Sequence, residues 1–218
     1  MMTAAPARTH PRKTPRQRRS AAVVEAIYEA SARILEESGM AALNTNIAAE
    51  RAGVSVGSLY QYFPSKEAIV AGLLRRARTT LLERIKAVTA CHASLTLEEA
   101  LSRLIAAGVR HQLERPALAR ALEYAETVLP ADQETALLKR EIARQVSAML
   151  EARGLNNAAC LAQDITALAR GMIDAAGLAG ETGATALERR VTAAVFGYLE
   201  RMRSDWGEPP CVTAKPAH

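Results

Sequence analysis

The sequence predicts an all-α protein, with an N-terminal three-helix, helix-turn-helix DNA-binding domain followed by a larger helical domain. Three observations carry this expectation. Alanine and leucine dominate the middle of the chain, where glycine and proline are few, and that composition favours helix. Apolar residues recur at three- and four-residue spacing in one segment after another, with no strand-like alternation. Residues 44–66 read as two short helices around a glycine-containing turn, the sequence shape of a helix-turn-helix.

Residues 1–19 hold three prolines and six cations, so the sequence predicts a disordered basic arm. The first helix begins near Ser20, with Val23, Val24, Ile27, Ala30, Ile34 and Leu35 at helical spacing, and ends at Ser38–Gly39. Met40 to Leu43 link it to the next element. Asn44 is a good N-cap for the second helix, because its side chain can accept from an otherwise unpaired backbone N–H. Ile47, Ala48 and Ala52 give that helix an apolar face. Gly53 turns the chain, since it can adopt positive φ without steric cost, and with Ala49 it would permit close approach of the two helices. Ser55 caps the third helix, which runs to about Phe63 and stops before Pro64. Ala48, Ala52, Val54 and Leu59 would fill the small core between them. Ser65 caps a long connecting helix that carries Glu67 in its first turn and fades near Cys91.

Beyond it, Thr96-Leu97-Glu98-Glu99 is a capping box that starts a helix burying Leu97, Leu101, Leu104, Ile105, Gly108, Val109 and Leu113. Pro116 opens a segment to about Leu129, with Leu118, Leu122, Tyr124 and Val128 apolar. Asp132 opens another, with Leu137, Leu138, Ile142, Val146, Met149 and Leu150, closed by Gly154. Asn156 or Asn157 caps a helix to about Ala179, whose end Gly177, Gly180 and Gly183 mark. The last helix covers about 184–203, and the chain from Trp206 reads as a flexible tail. The expected division is 1–19 basic arm, 20–66 helix-turn-helix domain, 67–205 helical body and 206–218 tail.

Net charge is +5, and it is uneven. Residues 1–20 carry Arg8, Arg12, Lys13, Arg16, Arg18 and Arg19 and no acid, leaving 22 basic against 23 acidic residues elsewhere. A basic arm beside a helix-turn-helix reads phosphate or a minor groove, or is simply a solvated tail. No run of about 18 apolar residues occurs, so no membrane span is expected. No apolar segment follows the basic N-terminus, so it does not read as a secretory signal. Cys91, Cys160 and Cys211 are odd in number and widely spaced, which fits free thiols in a reducing cytoplasm. No Gly-rich phosphate loop, zinc spacing, nucleophile elbow or dinucleotide fingerprint is present. The expectation is a cytoplasmic non-enzyme with no cofactor and no metal.

The outer face of the third helix is small, polar and nearly free of acid, which suits a major groove. With no Lys or Arg from Val56 to Tyr62, base readout falls to Ser58 and Gln61, with Ser55 and Tyr60, and to apolar contacts from Val56 and Gly57. Gln61 can pair bidentately with adenine. Lys66 is the expected phosphate clamp, with Asn44, Thr45 and Tyr62 donating beside it.

The pattern Ile47-Ala48-x-x-x-Ala52-Gly53-Val54-Ser55-x-Gly57-x-x-Tyr60-x-Tyr62-Phe63-x-x-Lys66 resembles the DNA-binding signature of TetR/AcrR-type transcriptional regulators. The match is dense from about Ser20 to Ile69. Asn44 stands where that family more often has Thr, and both residues cap helices. The resemblance implies a homodimer on a palindromic double-stranded DNA operator, usually repressing transcription. It also implies a small-molecule effector pocket in the body and a dimer made by the last two long helices.

Candidate pocket residues are Leu104, Gly108, His111, Tyr124, Met149 and Met172, for which ordinary core packing is the alternative. For the dimer, the last two helices carry apolar residues on more than one face: Leu161, Ile165, Leu168 and Met172 against Ala158, Ala162 and Ala169, then Leu187, Val191 and Tyr198 against Phe196 and Leu199. Leu168, Gly171, Ala193, Phe196 and Gly197 are the candidate dimer residues, the small ones allowing close helix approach. A thick monomer core covering both faces is the competing explanation. Asp164 and Asp174 can face a ligand, pair with a cation such as Arg170, or face solvent. Cys91, His92 and His111 lack metal-site or nucleophile spacing. A helical ligand-binding or scaffold protein without specific operator binding is the alternative function, and it leaves the basic arm beside an intact helix-turn-helix unexplained.

Overall fold

The structure, a computed structural model, describes residues 18–129 and 133–204. Residues 1–17 of the expected basic arm, the expected helix start at Asp132 and the tail from Trp206 lie outside them, whereas Arg18 and Arg19, expected in the arm, already belong to the first helix. All regular structure among the described residues is helical: α1 (Arg18–Ala42), α2 (Thr45–Arg51), α3 (Val56–Tyr62), α4 (Lys66–Ala90), a 3-10 turn at His92–Ser94, α5 (Leu97–Glu114), α6 (Pro116–Val128), α7 (Gln133–Glu151), α8 (Ala158–Leu178) and α9 (Ala184–Ser204).

The described residues form two compact units, one of residues 18–80 with 115–129 and 133–138, the other of residues 81–114 with 139–204. In the first, Ile27, Ile34 and Leu35 of α1 meet Leu43, Ala48, Leu59, Phe63, Ile69, Val70, Leu122 and Ala125 in one core. The Tyr28 and Phe63 rings stand edge to face with centroids 5.0 Å apart. The Tyr28 phenol lies directly over Gly72, where any Cβ would overlap it, so glycine is what lets α1 and α4 approach. Arg76 covers the other part of that ring, with Cζ 4.6 Å from its centroid. Across the helix flanks, Arg115 forks onto Glu36 at 2.7 and 2.8 Å and reaches Glu29 at 3.0 Å, tying the start of α6 to α1. These carboxylates hold the Arg115 guanidinium in its charged form more firmly than usual. Arg78 pairs with Glu126 at 3.1 Å, Arg75 with Glu134 at 3.0 Å and Arg51 with Glu37 at 2.5 Å.

In the second unit, Leu101, Ile105 and Val109 of α5 pack with Met149, Leu150, Leu161, Ile165, Ile173, Leu187, Val191, Val195 and Leu199. The capping box forms as expected: Glu99 N donates to Thr96 Oγ1 at 3.1 Å, and Thr96 N donates to Glu99 Oε2 at 2.8 Å. α5 crosses α8 closely at Gly177, where a Cβ would overlap the buried Gln112 amide.

Several sequence expectations are corrected. Gly177 is the penultimate residue of α8, at the end it was expected to mark, and it also admits the Gln112 side chain of α5; Gly180 makes the turn at φ 75°. Asn157 precedes α8 in the left-handed region (φ 55°) and makes no side-chain cap bond, so its part is to turn the chain. Gly39 breaks α1 at φ 71°, and residues 40–42 beyond it continue as a helical turn where a plain link was expected. Gly53 has positive φ (67°) and open space where a Cβ would stand, so it makes the turn but no close helix contact. Ile47, Val128 and Leu137, expected on apolar faces, are exposed. Ala158, Ala162 and Leu199, expected on faces opposite the core, are in the core.

Candidate nucleic-acid interface

The helix-turn-helix is built by caps more than by length, since α2 and α3 have seven residues each and would not hold alone. Asn44 Oδ1 accepts from Ile47 N at 2.9 Å, which leaves the amide NH2 of that side chain to donate elsewhere. Val54 N donates to Ala49 O and Gly53 N to Glu50 O, both at 3.0 Å, closing α2 across the Gly53 turn. Ser55 Oγ accepts from Ser58 N at 3.1 Å and lies 2.8 Å from Ser58 Oγ. Leu59 and Phe63, both wholly buried, anchor the inner side of α3. Burying each contributes roughly 1.5–3 kcal/mol. Ser65 Oγ accepts from Ala68 N at 3.3 Å and starts α4 at Lys66.

This anchoring fixes what α3 shows outward. Val56, Gly57, Tyr60 and Gln61 are exposed and fall on one helical face, while Ser58 and Tyr62 are half-buried. Val56 is 37% and Tyr60 40% exposed. Asn44 and Ser55 flank the face and are exposed; Thr45 and Lys66 are half-buried. The expected interface residues therefore all lie in the first unit, on α2, α3, their caps and the first residue of α4. One tie was not legible in the sequence: Thr45 Oγ1 and Tyr60 OH share a hydrogen bond at 3.0 Å, linking the start of α2 to the outer face of α3. α3 itself holds no ionisable acid or base apart from its tyrosines, so it offers hydroxyl, amide and apolar groups to whatever it meets.

Residues 27–73, which hold this whole arrangement, match the model of bacterial regulatory proteins of the tetR family, and residues 96–199 match the tetracyclin repressor-like C-terminal domain. The chain belongs to the tetR family. Among curated proteins it is 31% identical over 123 residues to the HTH-type transcriptional repressor KstR of Rhodococcus jostii. That alignment spans 56% of this chain and 58% of the relative's length. Among solved structures, the fatty acid degradation regulator FadR of Bacillus halodurans matches with a TM-score of 0.64 at 17% identity, over 85% of this chain and 98% of that one. A TetR-family transcriptional regulator of Streptomyces coelicolor matches at 0.60 and 21%, over 82% and 98%. These likenesses show the fold.

The remaining candidates of this tetR-family chain fall as follows. Leu104, Gly108, His111, Met149 and Met172 belong to the second unit and Tyr124 to the first. Met149 is 1% exposed within the core, and Leu104 and Met172 pack against that core. A Cβ on Gly108 would lie 3.2 Å from Ile173 Cδ1. Tyr124, 59% exposed, lines an open groove of about 790 Å³ in the first unit with Met40, Lys66, Arg120 and Val128. Gly171, Ala193 and Gly197 are exposed, and Leu168 and Phe196 are half-buried against the core. Asp164 accepts a hydrogen bond from the Tyr198 hydroxyl, which the sequence did not suggest; burial first, and that bond second, push the phenol up to about 12. Asp174 pairs with Arg170 at 3.8 Å, one of the expected alternatives. Cys91 is exposed and Cys160 half-buried, and Cys211 lies outside the described residues. Among the described residues no group of three or more His, Cys, Asp or Glu is placed to hold a metal ion, and no helix is long and apolar enough to cross a membrane.

Proposed function

We propose that this tetR-family chain is a sequence-specific DNA-binding repressor that acts in the cytoplasm as a homodimer on a palindromic operator and is released by a small-molecule effector. The observation that carries the DNA-binding reading is the outer face of α3: Val56, Gly57, Tyr60 and Gln61 exposed together on a helix pinned by Ser55, Leu59 and Phe63. A short, uncharged, firmly held face of this kind fits a major groove. Asn44, Thr45, Tyr62 and Lys66 flank it with donors for phosphates, and Ser55 and Ser58 stand with the base-reading groups.

Helix-turn-helix dimers place their reading heads about 34–36 Å apart, so a rigid body must set that distance. α8 and α9 are the proposed dimer helices, supported by the exposed Gly171, Ala193 and Gly197 beside the half-buried Leu168 and Phe196. Two helices from each protomer would form a four-helix bundle crossing at about 20°. An effector bound in the body, with Leu104, Gly108, His111, Met149 and Met172 of the second unit as candidate contacts and Tyr124 left to the first unit, would favour a state with mis-spaced heads and weaken operator affinity by its differential affinity.

The test begins with selection of duplexes from a random-sequence library by the full chain. Gln61→Ala should relax base preference on the selected duplex by roughly 1–3 kcal/mol while sparing binding to random DNA. Lys66→Ala should weaken binding evenly across sequences and lower the salt slope by about one. Phe196→Glu should give a monomer or an unstable protein with little operator affinity. Equal losses on selected and random DNA for Gln61→Ala, or a stable Phe196→Glu dimer with intact binding, would overturn the corresponding part.

A further inference from the structure

Most glycines in the described residues are explained by the chain itself. Gly39, Gly53, Gly154 and Gly180 have positive φ. Gly72, Gly108 and Gly177 lie under a side chain that a Cβ would crowd or overlap. Gly57, Gly171, Gly183 and Gly197 fit neither case. Gly183 lies between α8 and α9, the other three sit within helices, and all four are exposed and not among the positive-φ glycines. Gly171 and Gly197 belong to the proposed dimer face. Gly57 is in α3, and the nearest atom to an ideal Cβ there, beyond its chain neighbours and its own helix backbone, is Ser55 Oγ at 4.0 Å. Alanine would fit, and it is the better helix former. No packing contact in the first unit requires glycine at 57.

We infer that Gly57 is a specificity-determining residue whose bare Cα lets α3 settle against the C5-methyl group of a thymine. This rests on the operator reading above and deepens it. The base follows from the chemistry of the face. α3 has no Lys or Arg to take the two acceptors of guanine, and no Asp or Glu to accept from cytosine. It does offer Gln61, whose amide matches adenine, and next to Gly57 the exposed apolar Val56. An A·T pair is the one that presents an adenine edge and a methyl group in the major groove. Bare Cα and Val56 side chain together form an apolar seat for that methyl, and a side chain at 57 would occupy the same space.

The experiment adds one methyl group to the protein and removes one from the DNA. With the full chain and a duplex selected by the wild type, Gly57→Ala should weaken binding by about tenfold or more, as expected when one methyl group too many is forced into a close apolar contact. Its thermal melt should be at or above that of the wild type. Replacing thymines of the duplex one at a time by deoxyuridine, which lacks only the C5-methyl, should restore most of the lost affinity at one position per half-site. The same replacement should weaken the wild type slightly. Wild-type affinity for Gly57→Ala, or a loss that deoxyuridine restores at no position, overturns the inference while the operator reading stands. If the wild type enriches no sequence, the operator reading itself fails and this inference with it.

Discussion

In the first unit helices are tied across their flanks by arginine–carboxylate pairs: Arg115 to Glu36 and Glu29, Arg78 to Glu126, Arg75 to Glu134, Arg76 to Glu25 and Arg51 to Glu37. In the second unit α5, α8 and α9 interlock through an apolar core and through close crossings at Gly108 and Gly177. The two devices differ in what they fix. An exposed ion pair contributes roughly 0.2–1 kcal/mol, is screened by salt, and mainly sets orientation. Interlocked apolar surface contributes far more, is indifferent to salt, and is sensitive to a single methyl group. Each unit has an apolar core; in the first, which carries the proposed DNA-reading face, the ion pairs named here orient the helices, and in the second the close glycine crossings do so beside the Arg84–Glu114 pair.

That contrast can be broken in order of size. Leu150→Ala removes a wholly buried side chain from the second core and should cost about 2–5 kcal/mol in chemical denaturation. The loss should be the same in about 0.1 M and about 1 M salt, because no charge is involved. A salt-dependent loss would show that the second unit also leans on charge. Gly177→Ala forces a methyl group into the Gln112 amide and should cost about 1–3 kcal/mol. Unchanged melting would mean that the Gln112 side chain swings aside without cost. Arg115→Ala should cost no more than about 1 kcal/mol at low salt, since the side chain is 38% exposed, and almost nothing at high salt.

The smallest effect is in acid. The Glu29 carboxyl is held below its usual range, first by its hydrogen bond to Arg33 and, against opposing desolvation, by Arg115. A lowered folded-state pKa adds stability above the unfolded value that is lost as pH falls through the folded one. The Arg115→Ala protein should therefore lose less stability on acidification below about pH 4 than the wild type does. Parallel acid profiles would assign the shift to Arg33 alone.

The local part of this architecture was legible in the sequence. Asn44, Ser55, Ser65 and the Thr96–Glu99 box cap the helices that their spacing announced, because capping is decided within four residues. What spacing cannot carry is which distant surface a face meets. Arg115 and Glu36 are 79 residues apart, and nothing in either segment names the other. Gly177 stands at the end of α8, as its spacing announced, but that it also makes room for Gln112 on α5 could not be read from α8 alone. The exposed face of α3 was readable because periodicity fixes it, whereas the Thr45–Tyr60 bond joins two helices and depends on how the turn at Gly53 closes.

That bond bears on the heat and disorder of association. A tyrosine free to rotate must be immobilised when it meets a partner, at a cost of roughly 0.5–1.5 kcal/mol for a side chain with rotamer freedom. Here the ring is already held by Thr45 at 3.0 Å before any partner arrives. Its ordering is completed while the chain folds, and the proposed encounter with DNA starts from a preorganised phenol. Thr45→Val would release that ring without moving a charge. The loss should then appear calorimetrically as a less favourable entropy of binding.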